Sequence, residues 1–555
     1  MFPPIQAIEP GKKMKVVMVG IAGTSRDILL APYSLQSYVM AHEDVRDRLD
    51  FEVIHHKFIL PRNIPSVAEL VANQIVALRP DLVGFSTYCW NIDAVKRIAG
   101  LLRTLLPSAK VLLGGPEIDA GDMMKGVYDK EPYDFIIHGE GEIAFISLIR
   151  CFLFPEQHQV NKVPRLGINT LSGFESIPLT DKLASLISDL KTLPSPFLTR
   201  TIPEHLLQDP RVSVNIETQR GCNLRCAYCL YHANFPKIRY RDVQTVIEEL
   251  QYLARQGVQH FRITDANFFS DHDFAVSFLQ GIVDNRFEMS IFIEVIPVFV
   301  DEVVADLMAQ YRAISPKNQI VVGVGLQTIN EKSLKTIHRN ISVTHFDRAF
   351  ALLSEAKVII KTDLILGLPY ETRATYMNLM EYISEKMRYG FNYLSLALLR
   401  LLPGTELRDI AERYEFVVDK RDSDHFIYAT QDISRADLID CLRISSVAFR
   451  LFHTQEDETR AEIRDYYFSV KDQLKLSHVD MLEHFANYFL EVLGGKDSDY
   501  VRDDFPNAEH YWYYDNHKEI SDHVIREELD RMCMDGNPLN NGMTYSESAE
   551  SLTHH

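Results

Sequence analysis

Cys222, Cys226 and Cys229 lie on one short segment, Cys-Asn-Leu-Arg-Cys-Ala-Tyr-Cys, with the spacing C-x3-C-x2-C. Three thiolates this close can hold three irons of a [4Fe–4S] cluster on one tight loop, leaving the fourth iron without a protein ligand. An open coordination position is what separates a catalytic metal site from a structural one, as at zinc. A zinc site would want a fourth Cys or His at short spacing, and His232, three residues after Cys229, is the nearby candidate. Residues 211–217 (RVSVNIE) alternate apolar and polar like a strand, and Thr218-Gln219-Arg220-Gly221 turns into the cysteines.

The elements that must carry this loop repeat downstream. Val243, Val246, Ile247, Leu250, Leu253 and Ala254 recur at helical spacing from about Asp242 and stop near Gly257. Strand-like runs then alternate with helical ones at 260–264, 290–296, 319–326, 358–366 and 393–399, which with 211–217 makes six units. Polar residues mark their ends. Asp265-Ala266-Asn267-Phe268 follows the second, Glu294 lies on the third, and Gln327-Thr328 ends the fourth. Asp363 to Pro369 (DLILGLP) occupies the fifth, and Leu402-Pro403-Gly404-Thr405-Glu406-Leu407 closes the sixth.

The first 150 residues show a different α/β pattern. Five short apolar runs (14–20, 51–58, 82–88, 110–114 and 134–137) alternate with helical stretches, which predicts a doubly wound parallel sheet. Ligands of such sheets sit outside the carboxyl ends of the strands. Those ends read Ser86-Thr87-Tyr88-Cys89-Trp90-Asn91, Gly114-Gly115-Pro116-Glu117 and Gly139-Glu140-Gly141-Glu142. Glycines there let a bulky ligand approach the backbone, and the Ser86 and Thr87 hydroxyls offer polar contacts. A plain flavodoxin-like domain is the alternative, because each motif also occurs elsewhere.

Taken together, the cysteine loop, the strand ends behind it and the glycine-rich domain before it resemble the cobalamin-binding radical S-adenosylmethionine enzymes, over roughly residues 12–410. The resemblance implies an α/β fold: an N-terminal doubly wound, flavodoxin-like cobalamin-binding domain, a partial (β/α)6 TIM-type radical barrel, and a mainly helical C-terminal domain. It implies a [4Fe–4S] cluster on Cys222, Cys226 and Cys229 that binds S-adenosylmethionine and cleaves it to a 5′-deoxyadenosyl radical. For S-adenosylmethionine it implies contacts at Asp265, Asn267, Gln327, Asp363, Gly367 and Leu402. For cobalamin it implies Thr24, Ser25, Ser86, Thr87, Tyr88, Gly114, Gly115, Pro116, Glu117, Gly139, Glu140, Gly141 and Glu142. Glu294 is the candidate catalytic residue; contact with S-adenosylmethionine and a buried carboxylate paired with an arginine are its other readings. One departure matters. Where related corrinoid proteins carry Asp-x-His-x-x-Gly, this chain reads Ile21-Ala22-Gly23-Thr24-Ser25-Arg26-Asp27, so a cobalt bound here is expected to lack a histidine lower ligand.

The activity so implied is methyl transfer to an unactivated carbon or phosphorus centre of a small-molecule or peptide substrate, with electrons from an external flavodoxin or ferredoxin. Rearrangement, ring contraction or cyclisation, polar transfer from methylcobalamin, and a non-catalytic corrinoid carrier are the alternatives. No second cysteine triad precedes the first, which argues against a methylthiotransferase.

Composition bounds the rest. The net charge is −19, and residues 411–555 hold 31 acidic and 15 basic side chains, most of the excess. That argues against unassisted nucleic-acid binding, which needs clustered Lys and Arg. No apolar run of about eighteen residues and no basic-then-apolar N-terminus is present, so neither a membrane span nor a secretory signal is expected. Seven cysteines, three of them clustered, favour a reducing cytoplasm. The expected units are 1–150, a linker 151–205 with a short helical stripe (Leu183, Leu186, Ile187, Leu190), 206–410, a helical 411–537 and a polar tail from 538. The tail ends in His554-His555, and the Tyr511-Trp512-Tyr513-Tyr514 block is a candidate pocket wall.

Overall fold

The computed structural model describes residues 7–24, 26–57, 63–129, 131–170, 173–176, 185–390, 392–418, 425–453, 458–492 and 520–535. Ser25, Leu183, the aromatic block at 511–514 and the tail from 538 lie outside them.

The N-terminal sheet contains β1 (Met14–Ile21), β2 (Leu49–His56), β3 (Leu82–Ser86), β4 (Lys110–Gly114), β5 (Phe135–Ile137), β6 (Leu166–Thr170) and β7 (Gly173–Ser176), in the order β2-β1-β3-β4-β5-β6-β7. β1 to β5 pair in parallel. Alternation within β1 explains why both faces are covered. Val17 and Val19 pack with Val71, Ile75, Ile98 and Leu102 on one side, and Val16 and Met18 pack with Phe145, Leu148 and Ile149 on the other. The chain order reverses between β1 and β3, the switch point where such sheets bind ligands. Residues 166–176, read as linker from the sequence, instead add β6 and β7 antiparallel to β5. Their runs are only five and four residues long and contain two glycines, too short to stand out as strands.

After a small hairpin, described below, a second sheet holds β8 (Ser213–Ile216), β11 (His260–Ile263), β12 (Ser290–Val295), β13 (Ile320–Gln327), β14 (Ile359–Leu366) and β15 (Tyr393–Leu398), all parallel and in sequential order. Ile291, Ile293 and Val295 bury into the hydrophobic core, which leaves Phe292 and Glu294 on the opposite face. The same alternation sets Asn215 apart from Val214 and Ile216, and Arg262 apart from Phe261 and Ile263. This is an open (β/α)6 arrangement with a polar inner face.

The helices Arg435–Phe452, Glu458–Leu474, His478–Val492 and Asp522–Asp535 follow a short hairpin of β16 (Val417–Val418) and β17 (Ile427–Ala429). They do not build a separate core: Leu438, Cys441 and Phe485 belong to the same cluster as Tyr376 and Met380 on the barrel helix Arg373–Lys386. The Tyr376 hydroxyl lies 2.8 Å from Ser445 Oγ, and His484 is paired with Glu528 at 2.6 Å, all four side chains buried. No described helix is long and apolar enough to cross a membrane.

The first domain is stitched to the barrel at several points. Ser213 N–H donates to the Arg26 carbonyl at 3.0 Å, Arg408 pairs with Asp122 at 2.8 Å, and His425 meets Glu117 at 2.7 Å.

Candidate functional site

The three cysteines sit between β9 (Gln219–Arg220) and β10 (Arg239–Tyr240), which pair antiparallel and pinch the base of the loop. Asp265, at the end of β11, holds the approach. Its carboxylate accepts the Thr218 and Gln219 N–H groups at 2.9 and 3.1 Å as well as the Thr218 hydroxyl. Asn267 accepts from the Ile296 N–H at 3.1 Å and its side-chain amide reaches Asn223 inside the loop at 3.4 Å. Both residues therefore shape the cysteine loop rather than face an open ligand site.

The thiols are free, with Cys226 buried and the other two half-buried. Burial pushes the Cys222 thiol up and that of Cys229 to about 11. Thiolates at such positions need a cation, and coordination to iron supplies one. Arg339 points Nη1 toward Cys226 Sγ at 3.7 Å while Nη2 is held by the Gly325 carbonyl at 2.6 Å. Among the described residues no group of three or more His, Cys, Asp or Glu side chains closes on a single-ion site. The donor set fits a larger cluster.

A cavity of about 740 Å³ opens where the two domains face each other. That is in the upper part of the range for ligand sites, roughly 300–1,000 Å³. One wall is the carboxyl edge of the first sheet: Thr24 after β1, Ser86 and Tyr88 after β3, Gly114, Gly115 and Pro116 at β4, and Gly139 to Glu142 after β5. The facing wall is the inner face of the barrel, with Asn215, Glu217, Arg262, Thr264 and Glu294, and Arg220 beside the cysteine loop. No histidine of the described residues lines it. An open edge of glycine-rich turns over this volume fits a corrinoid.

Several residues expected at cofactors have partners of their own or lie away from the cavity. Thr87 is fully buried, and both its hydroxyl and its N–H donate to the Gly114 carbonyl, at 2.8 and 2.7 Å, so it is part of the turn and not of the cavity wall. Glu117 leaves the cavity for His425. Glu140 and Glu142 border the cavity but are spent on ion pairs: Arg220 donates to Glu140 at 3.1 Å and to Glu142 at 2.6 Å, and Arg239 also grips Glu140. Burial opposes these charges, but Arg220 outweighs it and holds the Glu142 carboxyl below its usual value. Gly115 has φ +111°, and a Cβ there would come within 2.5 Å of the Thr87 carbonyl oxygen, so its freedom serves the protein's own turn before any ligand. Gln327, Gly367 and Leu402 do not line the cavity. A Cβ on Gly367 would meet Ile427, and the Leu402 carbonyl accepts from Thr405 at 2.8 Å.

Glu294 is the expected residue that does face the cavity. Burial raises its carboxyl above the usual range and the Asp363 charge adds to the rise, against Lys361 and Arg262. Lys361 bridges the pair: its Nζ lies 3.4 Å from Glu294 and bonds Asp363 too. Asp363 therefore stands behind Glu294, one pair removed from the chamber. Sequence reasoning missed Asn215, Arg220, Arg239, Arg262 and Lys361. The signal was present as lone charged or amide residues at alternate positions of otherwise apolar strands, as in Phe-Arg-Ile and Ile-Ile-Lys-Thr-Asp.

Comparison with known proteins agrees with this geometry. The radical SAM superfamily model matches residues 216–383 and the B12 binding domain model matches residues 41–149. The chain is similar to a cobalamin-dependent radical SAM methyltransferase, TokK, of Streptomyces tokunonensis, 26% identical over 62% of this chain and 49% of that protein. It is also similar to a 2-(S-pantetheinyl)-carbapenam-3-carboxylate methyltransferase of Streptantibioticus cattleyicolor, 30% identical over 34% of this chain and 28% of that one. It thus spans half or less of the length of these curated relatives. In fold it is similar to the cobalamin-dependent S-adenosylmethionine radical enzyme OxsB, with TM-score 0.63, 14% identity, and 96% of this chain and 82% of that chain covered. The radical S-adenosylmethionine methyltransferase TsrM from Kitasatospora setae aligns with TM-score 0.57 at 21% identity, over 72% of this chain and 76% of that chain. With a B12 binding domain followed by a radical SAM domain, and the cysteine loop near the start of the second, the chain carries the domain pair of the cobalamin-binding radical S-adenosylmethionine enzymes, and its cofactors are a [4Fe–4S] cluster, S-adenosylmethionine and cobalamin.

Proposed function

We propose that the protein is a cobalamin-dependent radical S-adenosylmethionine methyltransferase that methylates an unactivated carbon or phosphorus centre of a small-molecule or peptide substrate. The observation that carries this reading is the single chamber. The glycine-rich edge of the first domain and the polar face of the barrel border one cavity, with Arg220, two residues from Cys222, on its wall. When bound, the cluster supplies the electron that cleaves S-adenosylmethionine, and cobalamin supplies the methyl group.

The chain's own residues then have separable tasks. Cys222, Cys226 and Cys229 hold the cluster, and Asp265 and Asn267 fix the loop that carries them. Glu140 and Arg220 set that loop against the first domain. Glu294 offers a carboxyl of raised pKa that can hold or pass a proton at the substrate. Reducing equivalents come from an external flavodoxin or ferredoxin.

The test is product counting with methyl-labelled S-adenosylmethionine under anaerobic conditions. Radical methyl transfer gives S-adenosylhomocysteine and 5′-deoxyadenosine in roughly equal amounts per methylated product, because the overall reaction would consume two molecules of S-adenosylmethionine, one as methyl source and one as radical source. 5′-Deoxyadenosine without matching S-adenosylhomocysteine means rearrangement, and S-adenosylhomocysteine alone means polar transfer. Absence of label from every product overturns the methyltransferase reading.

A further inference from the structure

We propose that Arg262 anchors a carboxylate of the substrate, so that the methyl acceptor is a small organic acid or zwitterion seated against the barrel wall. The proposal rests on the reading of the cavity as the substrate chamber and adds to it the chemical class of the occupant.

Two arginines line the cavity, and they are in opposite states. Arg220 is committed to three carboxylates, those of Glu140, Glu142 and Glu217. Arg262 makes no side-chain hydrogen bond and no ion pair among the described residues, although it lies on a half-buried strand position between Asn215 and Phe292, its register partners on β8 and β12. Its guanidinium carbon sits 4.3 Å from the Phe292 ring centroid. Stacking occupies one face of the guanidinium and leaves its N–H edge for a coplanar acceptor. The nearby Lys361 is already shared by Glu294 and Asp363, so among the described residues of the cavity wall Arg262 is the one cation without a hydrogen bond or ion pair, its charge acting on Glu294 only at longer range.

A fork of donors backed by an aromatic ring suits a planar, singly charged carboxylate in bidentate contact. Glu294 lies on the same wall, two residues beyond Phe292, and it disfavours a dianionic phosphate more than a monoanion.

Binding is read directly, apart from turnover. Cluster- and cobalamin-loaded protein is titrated anaerobically with benzoate and phenylacetate, with benzamide and phenylacetamide as neutral counterparts, and with phenylphosphonate, by saturation-transfer NMR. The acids should bind at least roughly tenfold more tightly than the amides, in line with charge-assisted hydrogen bonds. Arg262→Met should abolish the preference and Arg262→Lys should keep part of it, while S-adenosylmethionine affinity and corrinoid content stay at wild-type values. The acid–amide contrast in the unaltered protein needs no variant to fold. Acids that bind no better than amides, or a preference that survives in Arg262→Met, overturn the assignment. So does phenylphosphonate displacing the acids, which would make the anion a phosphate. Loss of S-adenosylmethionine or corrinoid in Arg262→Met would give the anion to a cofactor and also overturns it. Failure here leaves the product count untouched, and an unexpected product count leaves this binding contrast standing.

Discussion

Glu294 and Lys361 belong to strands that are not neighbours, yet their charged ends approach to 3.4 Å. They do so over Gly323, which pairs with Glu294 on one side and with Lys361 on the other. A Cβ on Gly323 would fall 2.1 Å from a Glu294 carboxylate oxygen. The missing side chain on the middle strand is what lets the two outer ones meet.

Gly323→Ala should therefore displace Glu294 without touching a cofactor ligand. The expected cost is about 1–3 kcal/mol of stability, the usual range for overpacking. Methylated product should fall at least tenfold, roughly the scale of a lost proton-transfer group, with cluster absorbance and corrinoid content unchanged. Thermal unfolding and product yield on one preparation check both. A variant of wild-type activity would show that Glu294 needs no fixed position.

Asp265 gives a pH signature. Its burial pushes the carboxyl to about 7 despite the Thr218 and Gln219 hydrogen bonds, against about 3.9 in an unfolded chain. The folded state thus holds a proton that the unfolded state has lost, and stability falls as pH rises from about 4 to about 7. Asp265→Asn removes this dependence. Urea midpoints at pH 5 and 7.5 should show the wild type losing stability relative to the variant by about 1–4 kcal/mol. An unchanged difference would mean that the carboxylate is charged throughout.

Glu140→Ala leaves Arg220 and Arg239 facing each other across an emptied site. Breaking a buried pair costs about 3–5 kcal/mol, because an uncompensated charge remains. The loss should appear as a lower unfolding temperature and as poorer cluster loading, since both arginines flank the cysteine loop. Glu142→Ala should cost less, because Arg220 keeps Glu140 and Glu217. Equal effects of the two would argue that Glu140 has no special place.

Gly115→Ala forces a side chain into the left-handed region and against the Thr87 backbone. The expected loss is at least ~1 kcal/mol, and it should be the same with corrinoid bound or absent. Urea unfolding of apo and loaded protein distinguishes this from a residue that touches the ligand, whose replacement would weaken only the loaded form.

Much of this architecture is legible in the sequence because parallel strands buried on both faces leave apolar runs that helical stretches interrupt. The ends of β11, β12, β14 and β15 fall within a residue of expectation. The cysteine loop is legible for another reason: cluster ligation demands residue types at fixed spacing. What a single sequence does not expose is pairing at a distance. Glu140 and Arg220 are 80 residues apart, and nothing local says that the first is a structural acid and not a ligand contact. Thr87 fails similarly, since a hydroxyl at a strand end can face the cavity or turn back on Gly114, and only the positive φ of Gly115 decides it. β6 and β7 were invisible because they need the edge of β5 to exist.

The clamp of Arg220 and Arg239 on Glu140 also has a temporal meaning. Domains emerge and fold from the N-terminus during synthesis. The carboxylate at the end of β5 is therefore in place before either arginine leaves the ribosome, and the cysteine hairpin closes on a surface already made.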